Sequence, residues 1–266
     1  QRQEGIKMRK RNETTVFAIV LFLNLVLCSL LILVFLAIKD AFAELTVKAN
    51  HDRIKIDLFY HGDEVTVSGE ADSGTDLIVK ITSPESHHVL RKKGKVAGIL
   101  WMNVGELKFE NTPTLYFLHS TKRLEDILSK EEMDKYVIGY PALKNHIEIS
   151  PVADEAEKKT WFEEFLKFKE SSKLYSKSYG RISAKAVDGI QHYYINLNWP
   201  YQSPPGDYTA TVYSVKDKKV IEKTESKVRV EQVNIVKILS NMAKNKGAFY
   251  GIIAIVVALA AGFGVG

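Results

Sequence analysis

Two stretches of this chain are apolar without a single charge, and the segment between them alternates. From Val16 to Ile38, 23 residues are broken only by Asn24 and Ser29. At about 1.5 Å per residue a helix of this length crosses a hydrocarbon core of about 30 Å. The second stretch, Ala248 to Val265, follows Lys244 and Lys246 and is rich in small residues. Gly247, Gly251, Ala254, Ala258 and Gly262 fall on one helical face, where four-residue spacing of small side chains lets another membrane helix approach closely. The same residues also suit a generic Ala/Gly-rich span. Val233, Val236, Leu239 and Met242 recur every third position, as in an amphipathic helix (about 236–247) resting on the membrane or on the domain. The last apolar stretch reaches Gly266 with no polar flank, which leaves open whether the chain continues.

Between these stretches the pattern predicts a domain over 44–235. Thr46 to Ala49, Ile54 to Tyr60, Glu64 to Ala71 and Leu77 to Thr82 alternate or are β-branched, with turns at His61-Gly62-Asp63 and Asp72-Ser73-Gly74. Leu100 to Val104 and Leu115 to Leu118 add strands. Ser120 or Thr121 is placed to cap a short helix running to Lys130. Pro151 to Tyr175 reads as a second helix, with Trp161, Phe162, Phe165, Leu166 and Phe168 on a broad apolar face. Strands resume at Tyr179 to Ala186, Tyr193 to Trp199, Tyr208 to Ser214 and Val220 to Val230, the last two joined by a tight turn at Val215 to Lys218. Pro204-Pro205-Gly206-Asp207-Tyr208 before an alternating strand is what an immunoglobulin-like sandwich shows entering its final hairpin. The predicted fold is therefore mainly β: an immunoglobulin-like β-sandwich with a helical insertion at about 120–175, flanked by two transmembrane helices.

Charge sets the expected orientation. The first 43 residues hold Arg2, Lys7, Arg9, Lys10, Arg11 and Lys39 against Glu4, Glu13 and Asp40, so +3 of the net +5 lies there. Basic residues before a first span stay in the cytoplasm, and the chain beyond the span is exported. Ala41-Phe42-Ala43 also matches a signal-peptidase site, although the apolar run is longer than the usual 7–15 residues. Export of residues 44 onward is expected from a retained anchor and from a cleaved signal alike. The remaining 31 basic and 29 acidic residues balance, giving no reason to expect a nucleic-acid partner. Cys28 is the single cysteine and sits inside the first apolar run, so no intrachain disulfide or Cys-based metal site is available.

One ordered series of residues carries a resemblance. Ile56 to Gly62 (I-D-L-F-Y-H-G), Val65 to Gly69, Arg91-Lys92-Lys93, Gly98 to Val104 (G-I-L-W-M-N-V), Pro113 with Tyr116, Leu174-Tyr175, Pro204 to Tyr208 and Tyr250-Gly251 together resemble a family of conserved bacterial transmembrane proteins first noted in alphaproteobacteria. Members of that family are often encoded beside permeases of the sulfite-exporter type. The resemblance covers nearly everything after residue 44. It implies a bacterial inner-membrane location, with the main domain on the periplasmic side, and a transport-related accessory role.

Candidate chemistry is sparse. His87-His88 lies in an expected loop, where neighbouring side chains point apart and do not converge on a metal. Arg91, Lys92, Lys93 and Lys95, in the same expected loop, can attract an anion or lipid headgroups. Trp101 reads as core and Asn103 as a strand-end hydrogen bonder. Glu163 and Glu164 are flanked by lysines on a solvated helical face. No nucleophile elbow, His-Glu-x-x-His pair, phosphate loop or dinucleotide fingerprint occurs, and no catalytic residue or cofactor is assigned. The expected function is a non-enzymatic accessory or scaffold subunit that contacts the lipid bilayer and an integral membrane partner. The alternatives are an anion-binding module for a neighbouring permease and an enzyme with scattered catalytic residues.

Overall fold

The computed structural model describes residues 21–30, 43–96 and 99–265. The chain divides into two units, residues 1–42 and 43–266. In the first, Leu21–Leu30 forms an apolar helix, α1, with every side chain exposed. The rest of the expected first span, the basic cluster before it and most of the Ala41-Phe42-Ala43 site lie outside the described residues.

Three sheets build the second unit. In the first, β1 (Lys48–Ala49), β3 (Asp63–Asp72), β11 (Ile190–Trp199) and β10 (Ser183–Val187) lie antiparallel in that order. The second sheet has the order β2 (Arg53–Ile56), β13 (Lys219–Gln232), β12 (Gly206–Lys216), β4 (Asp76–Thr82), β7 (Tyr116–Ser120) and β9 (Tyr175–Tyr179). Its pairs β2–β13 and β7–β9 are parallel. The third consists of β5 (Glu85–Val96), β6 (Leu100–Pro113) and β8 (Glu148–Ser150). Between β7 and β9 come the helices α2 (Leu124–Ile127), α3 (Lys130–Tyr136), α4 (Tyr140–His146) and α5 (Glu155–Ser171). After β13 the chain runs into α6 (Asn234–Asn245) and α7 (Gly247–Val265). The fold is thus mainly β with a helical part, as its alternation predicts.

The first two sheets pack face to face. Val65 and Val67 of β3 and Ile195, Leu197 and Trp199 of β11 meet Leu77, Val79 and Ile81 of β4, Ala210 and Val212 of β12, and Val228 and Val230 of β13. Each buried aliphatic side chain contributes about 1.5–3 kcal/mol of transfer free energy. Every second residue from Gln191 to Trp199 is buried, the signature of a strand with one covered face. The segment leading into β1 crosses β3 closely: a Cβ on Gly69 would fall 2.0 Å from the Thr46 carbonyl oxygen, so only glycine fits there.

The second sheet is covered on its other face as well. Ile78, Tyr116, Leu118, Tyr213 and Val215 pack against Leu124 and Ile127 of α2, Leu143 of α4, Phe162 and Phe165 of α5, and Phe109 of β6. Burial on both faces explains why all five residues of β7 are buried and why it reads as a run rather than an alternation.

Several local expectations are corrected. The segment holding His87-His88 and Arg91 to Lys95 is not a loop: it is the strand β5, paired along its length with β6. Leu100 to Val104 is only the first part of β6. Ser120 and Thr121 do not cap a helix; Thr121 Oγ1 binds Asp76 and the Leu77 amide, and the cap is made further on, by Ser129 accepting from the Glu132 amide. The helix expected over Pro151 to Tyr175 is shorter, begins at the Asp154 cap and gives way to β9, and Phe168 on its expected apolar face is exposed. The strand expected over Tyr179 to Ala186 is split by Gly180 into β9 and β10. The Val215 to Lys218 turn is as expected: Asp217 and Lys218 take φ of 51° and 60°, the left-handed pair of a two-residue hairpin.

Candidate functional site

Three places combine exposure or polarity with a defined position in the fold: the C-terminal helices, the β5–β6 hairpin, and a cleft over the second sheet. β13 ends beside β2, and the Val233 amide, at the cap of α6, donates to the Ile56 carbonyl at 3.0 Å. On α6 Val236 and Met242 are half-buried and Leu239 is exposed. Within α7 the stretch Gly247–Gly264 has a mean hydropathy of 2.1 and none of it is buried. It is the one described helix long and apolar enough to cross a membrane. A Cβ on Gly247, Gly251 or Gly262 would meet nothing within 4 Å, and Ala254 and Ala258 are exposed, so the small-residue stripe faces open space.

The hairpin separates the four predicted anion-binding residues. Arg91, Lys93 and Lys95 are exposed on one face of β5, and Lys92 points to the other, 3.6 Å from the Glu157 carboxylate and 4.6 Å from the Trp161 ring centre. Strand alternation forbids a single pocket from holding all four. Asn103 is not at a strand end but inside β6, opposite Lys93; the Trp101 side chain lies outside the described residues. His87 and His88 likewise diverge. His87 Nδ1 meets the Glu110 carboxylate, whereas His88 Nε2 lies 3.0 Å from Ser86 Oγ and 3.3 Å from Lys169 Nζ. Burial, then the Lys169 and His87 charges, lowers His88 to about 4, so it is neutral at pH 7. Lys169 is 3% exposed, with its ammonium 5.3 Å and 5.6 Å from the Phe165 and Tyr175 rings, and burial lowers it to about 8. Glu163 and Glu164 stay exposed beside Lys159 and Lys167. Among the described residues no three His, Cys, Asp or Glu side chains converge as metal ligands.

The cleft, of about 480 Å³, lies between the second sheet and α3–α4. Lys80 lines it: Nζ donates to the Tyr136 carbonyl at 2.6 Å and sits 5.5 Å from the Tyr213 ring centre. Burial lowers Lys80 to about 8; Lys223 adds to the effect and Glu225 opposes it. Thr82, Thr209 and Thr211 add hydroxyls, and Lys135 and Glu225 charges of both signs. This lining suits a small polar molecule. Sequence reasoning passed over Lys80, although one cation inside Leu77-Ile78-Val79-Lys80-Ile81 was a readable signal. Lys169, four residues after Phe165 on the same helical face, was another.

An uncovered apolar helix at the end of a β-rich domain agrees with the family match. The model of a family described as a putative transmembrane protein (Alph_Pro_TM) matches residues 44–266. The chain belongs to that family. No curated protein matches it.

Proposed function

We propose that this family member is a non-enzymatic accessory or scaffold subunit, held at a bacterial inner membrane with its sandwich on the periplasmic side and joined through α7 to an integral membrane partner. The observation that carries this reading is the unburied apolar surface of α7, which lies just beyond the last strand of the domain. An apolar helix with no cover in its own chain needs lipid or another helix, and its stripe of small residues suits the second. The sandwich is read as immunoglobulin-like. Support comes from the strand orders β1-β3-β11-β10 and β2-β13-β12-β4-β7-β9, from the parallel β2–β13 edge, and from Tyr208 Oη donating to the Pro204 carbonyl at 2.6 Å, a tyrosine corner.

Extraction in a mild detergent should bring down a membrane partner with the chain. Gly251→Leu combined with Gly262→Leu should reduce that recovery at least tenfold without moving the melting temperature of the domain. A chain that is extracted alone, and whose behaviour the two leucines leave unchanged, would sink the scaffold reading. A second reading, a module binding a small polar ligand, is favoured by the Lys80 cleft rather than by the Arg91 to Lys95 run. Calorimetry with sulfite, sulfate and thiosulfate, repeated on Lys80→Met, separates the two.

A further inference from the structure

The end of the sandwich from which α6 and α7 depart has an unusual surface. Register places the C-termini of β13 and β2 at the same end of the second sheet as the end of β4 and the start of β7, since Thr82 pairs with both Thr209 and Tyr116 while Gly206 pairs with Val230. The β5–β6 hairpin, which connects β4 to β7, is therefore rooted at the end where the chain leaves for α6. The loops at this end expose large apolar side chains: Phe59 after β2 is 81% exposed, and Tyr201 between β11 and β12 is 61% exposed.

The outer half of the hairpin is two-faced. On the side of Lys92 and Gly94 it carries Met102, the register partner of Gly94, and Val104, whose methyl would lie 2.8 Å from a Cβ on Gly94. Leu100 continues the strip at 61% exposure, and Ile99 beside it is 87% exposed. The opposite side carries Arg91, Lys93 and Lys95. An apolar strip backed by cations matches a surface whose interior is hydrocarbon and whose rim is anionic phosphate. Lysine and arginine stems can lie along the apolar layer while their heads reach the phosphates.

We propose that this hairpin is a second membrane-contact element: Ile99, Leu100 and Met102 enter the interfacial layer of the bilayer, and Arg91, Lys93 and Lys95 bind the headgroups of anionic phospholipids. The proposal rests on the reading of α7 as a span, which tethers the domain and raises the local concentration of the hairpin at the surface. Two attachments would fix the tilt of the sandwich over the membrane, which a single helix leaves free.

The test uses the full chain with Cys28→Ala, reconstituted in vesicles containing phosphatidylglycerol, with an environment-sensitive fluorophore on one introduced cysteine at a time. Labels at Ile99→Cys and Met102→Cys should be quenched by brominated lipid and shielded from aqueous iodide at least threefold relative to a label at Ser73→Cys, in the β3–β4 turn at the other end of the sandwich. Replacing Arg91, Lys93 and Lys95 together by Gln should reduce the lipid quenching at least threefold. Iodide access equal to that of Ser73→Cys overturns the proposal. So does shielding from iodide without lipid quenching, which would mean that a second copy of the chain covers the hairpin. Lipid quenching that survives the triple substitution overturns the assignment of the cations to headgroups. A label at Ile255→Cys, expected to be quenched by deep bromines, reports on the span by itself and so separates failure of the hairpin from failure of the anchor.

Discussion

On its inner face the six-stranded sheet meets Val65, Val67, Ile195 and Leu197 from the other half of the sandwich; on its outer face it meets Tyr140, Phe162 and Phe165, with Lys169 buried among them. The inner interior is sheet on sheet, filled mostly by branched aliphatic chains at every second position. The outer one is assembled from segments inserted between β4 and β9, and its rings pack against one another, Phe109 stacked on Phe165 at 4.6 Å and Phe165 edge-on to Tyr175 at 5.8 Å. An aliphatic core has no place for a cation. An aromatic one can hold it against ring faces and carbonyls, as it does Lys169, while Lys80 stays half-buried at the edge of this layer beside Tyr213. The inner core is thus mostly aliphatic, and the outer layer is the one that admits a buried cation and carries the hairpin and the cleft.

The strongest challenge to this division into two interiors comes from truncating one anchor in each. Trp199→Ala, which removes a ring packed at 4.9 Å against Tyr208, should cost about 3–5 kcal/mol and raise hydrogen exchange throughout both sheets. Phe165→Ala should instead raise exchange in β5, β6 and α5 while β3 and β11 keep their protection. Equal loss of protection in β3 and β11 for the two variants would show one cooperative interior rather than two.

A smaller effect concerns Lys169. Its value in the fold, about 8, lies below its ordinary 10.5, so the folded state binds fewer protons than the unfolded chain between these values and stability rises as pH increases through that window. Below about pH 8 the fold carries the charged form at its full cost. Lys169→Met should therefore stabilise the protein at pH 7, by on the order of 1 kcal/mol, and the gain should vanish towards pH 10.5. Chemical denaturation of both proteins at about pH 7 and about pH 10 checks this; a gain independent of pH would mean that packing and not charge is responsible.

The smallest expected change is at the rim of the outer layer. The Lys92–Glu157 pair is half-exposed, and pairs of this kind contribute about 0.2–1 kcal/mol. Lys92→Met, which keeps an apolar stem over Trp161, should shift the denaturation midpoint by less than the Lys169 substitution does. A larger shift would give the hairpin–helix contact a weight that its exposure does not suggest.

The inner interior was legible in advance because sheet-on-sheet burial leaves a period of two in the residues themselves, as along Tyr193 to Trp199. The outer layer was legible only in pieces. The apolar face of α5 announced a packing partner, but nothing local marked β5. Glu85 to Val96 has few strand-forming residues and no clean alternation, and its extended form comes from hydrogen bonds to β6. The candidate site suffered the same way. Arg91, Lys92, Lys93 and Lys95 read as one basic loop able to attract an anion or lipid headgroups, and the pleat of a strand sent Lys92 to one side and the other three to the opposite side.

Composition and periodicity alone determined that residues 247–264 form an apolar helix, that the small residues within it share a face, and that the domain before it is mainly β. These are properties of near neighbours along the chain, set by the turn of a helix and the pleat of a strand. Tertiary structure decided that β4, β7 and β12 are covered on both faces, that Lys169 is buried and Lys80 half-buried, and that the hairpin is rooted where the chain departs for α7. Each of those depends on which distant segment pairs with which, and pairing is chosen by the burial of whole faces, a sum over residues far apart in sequence.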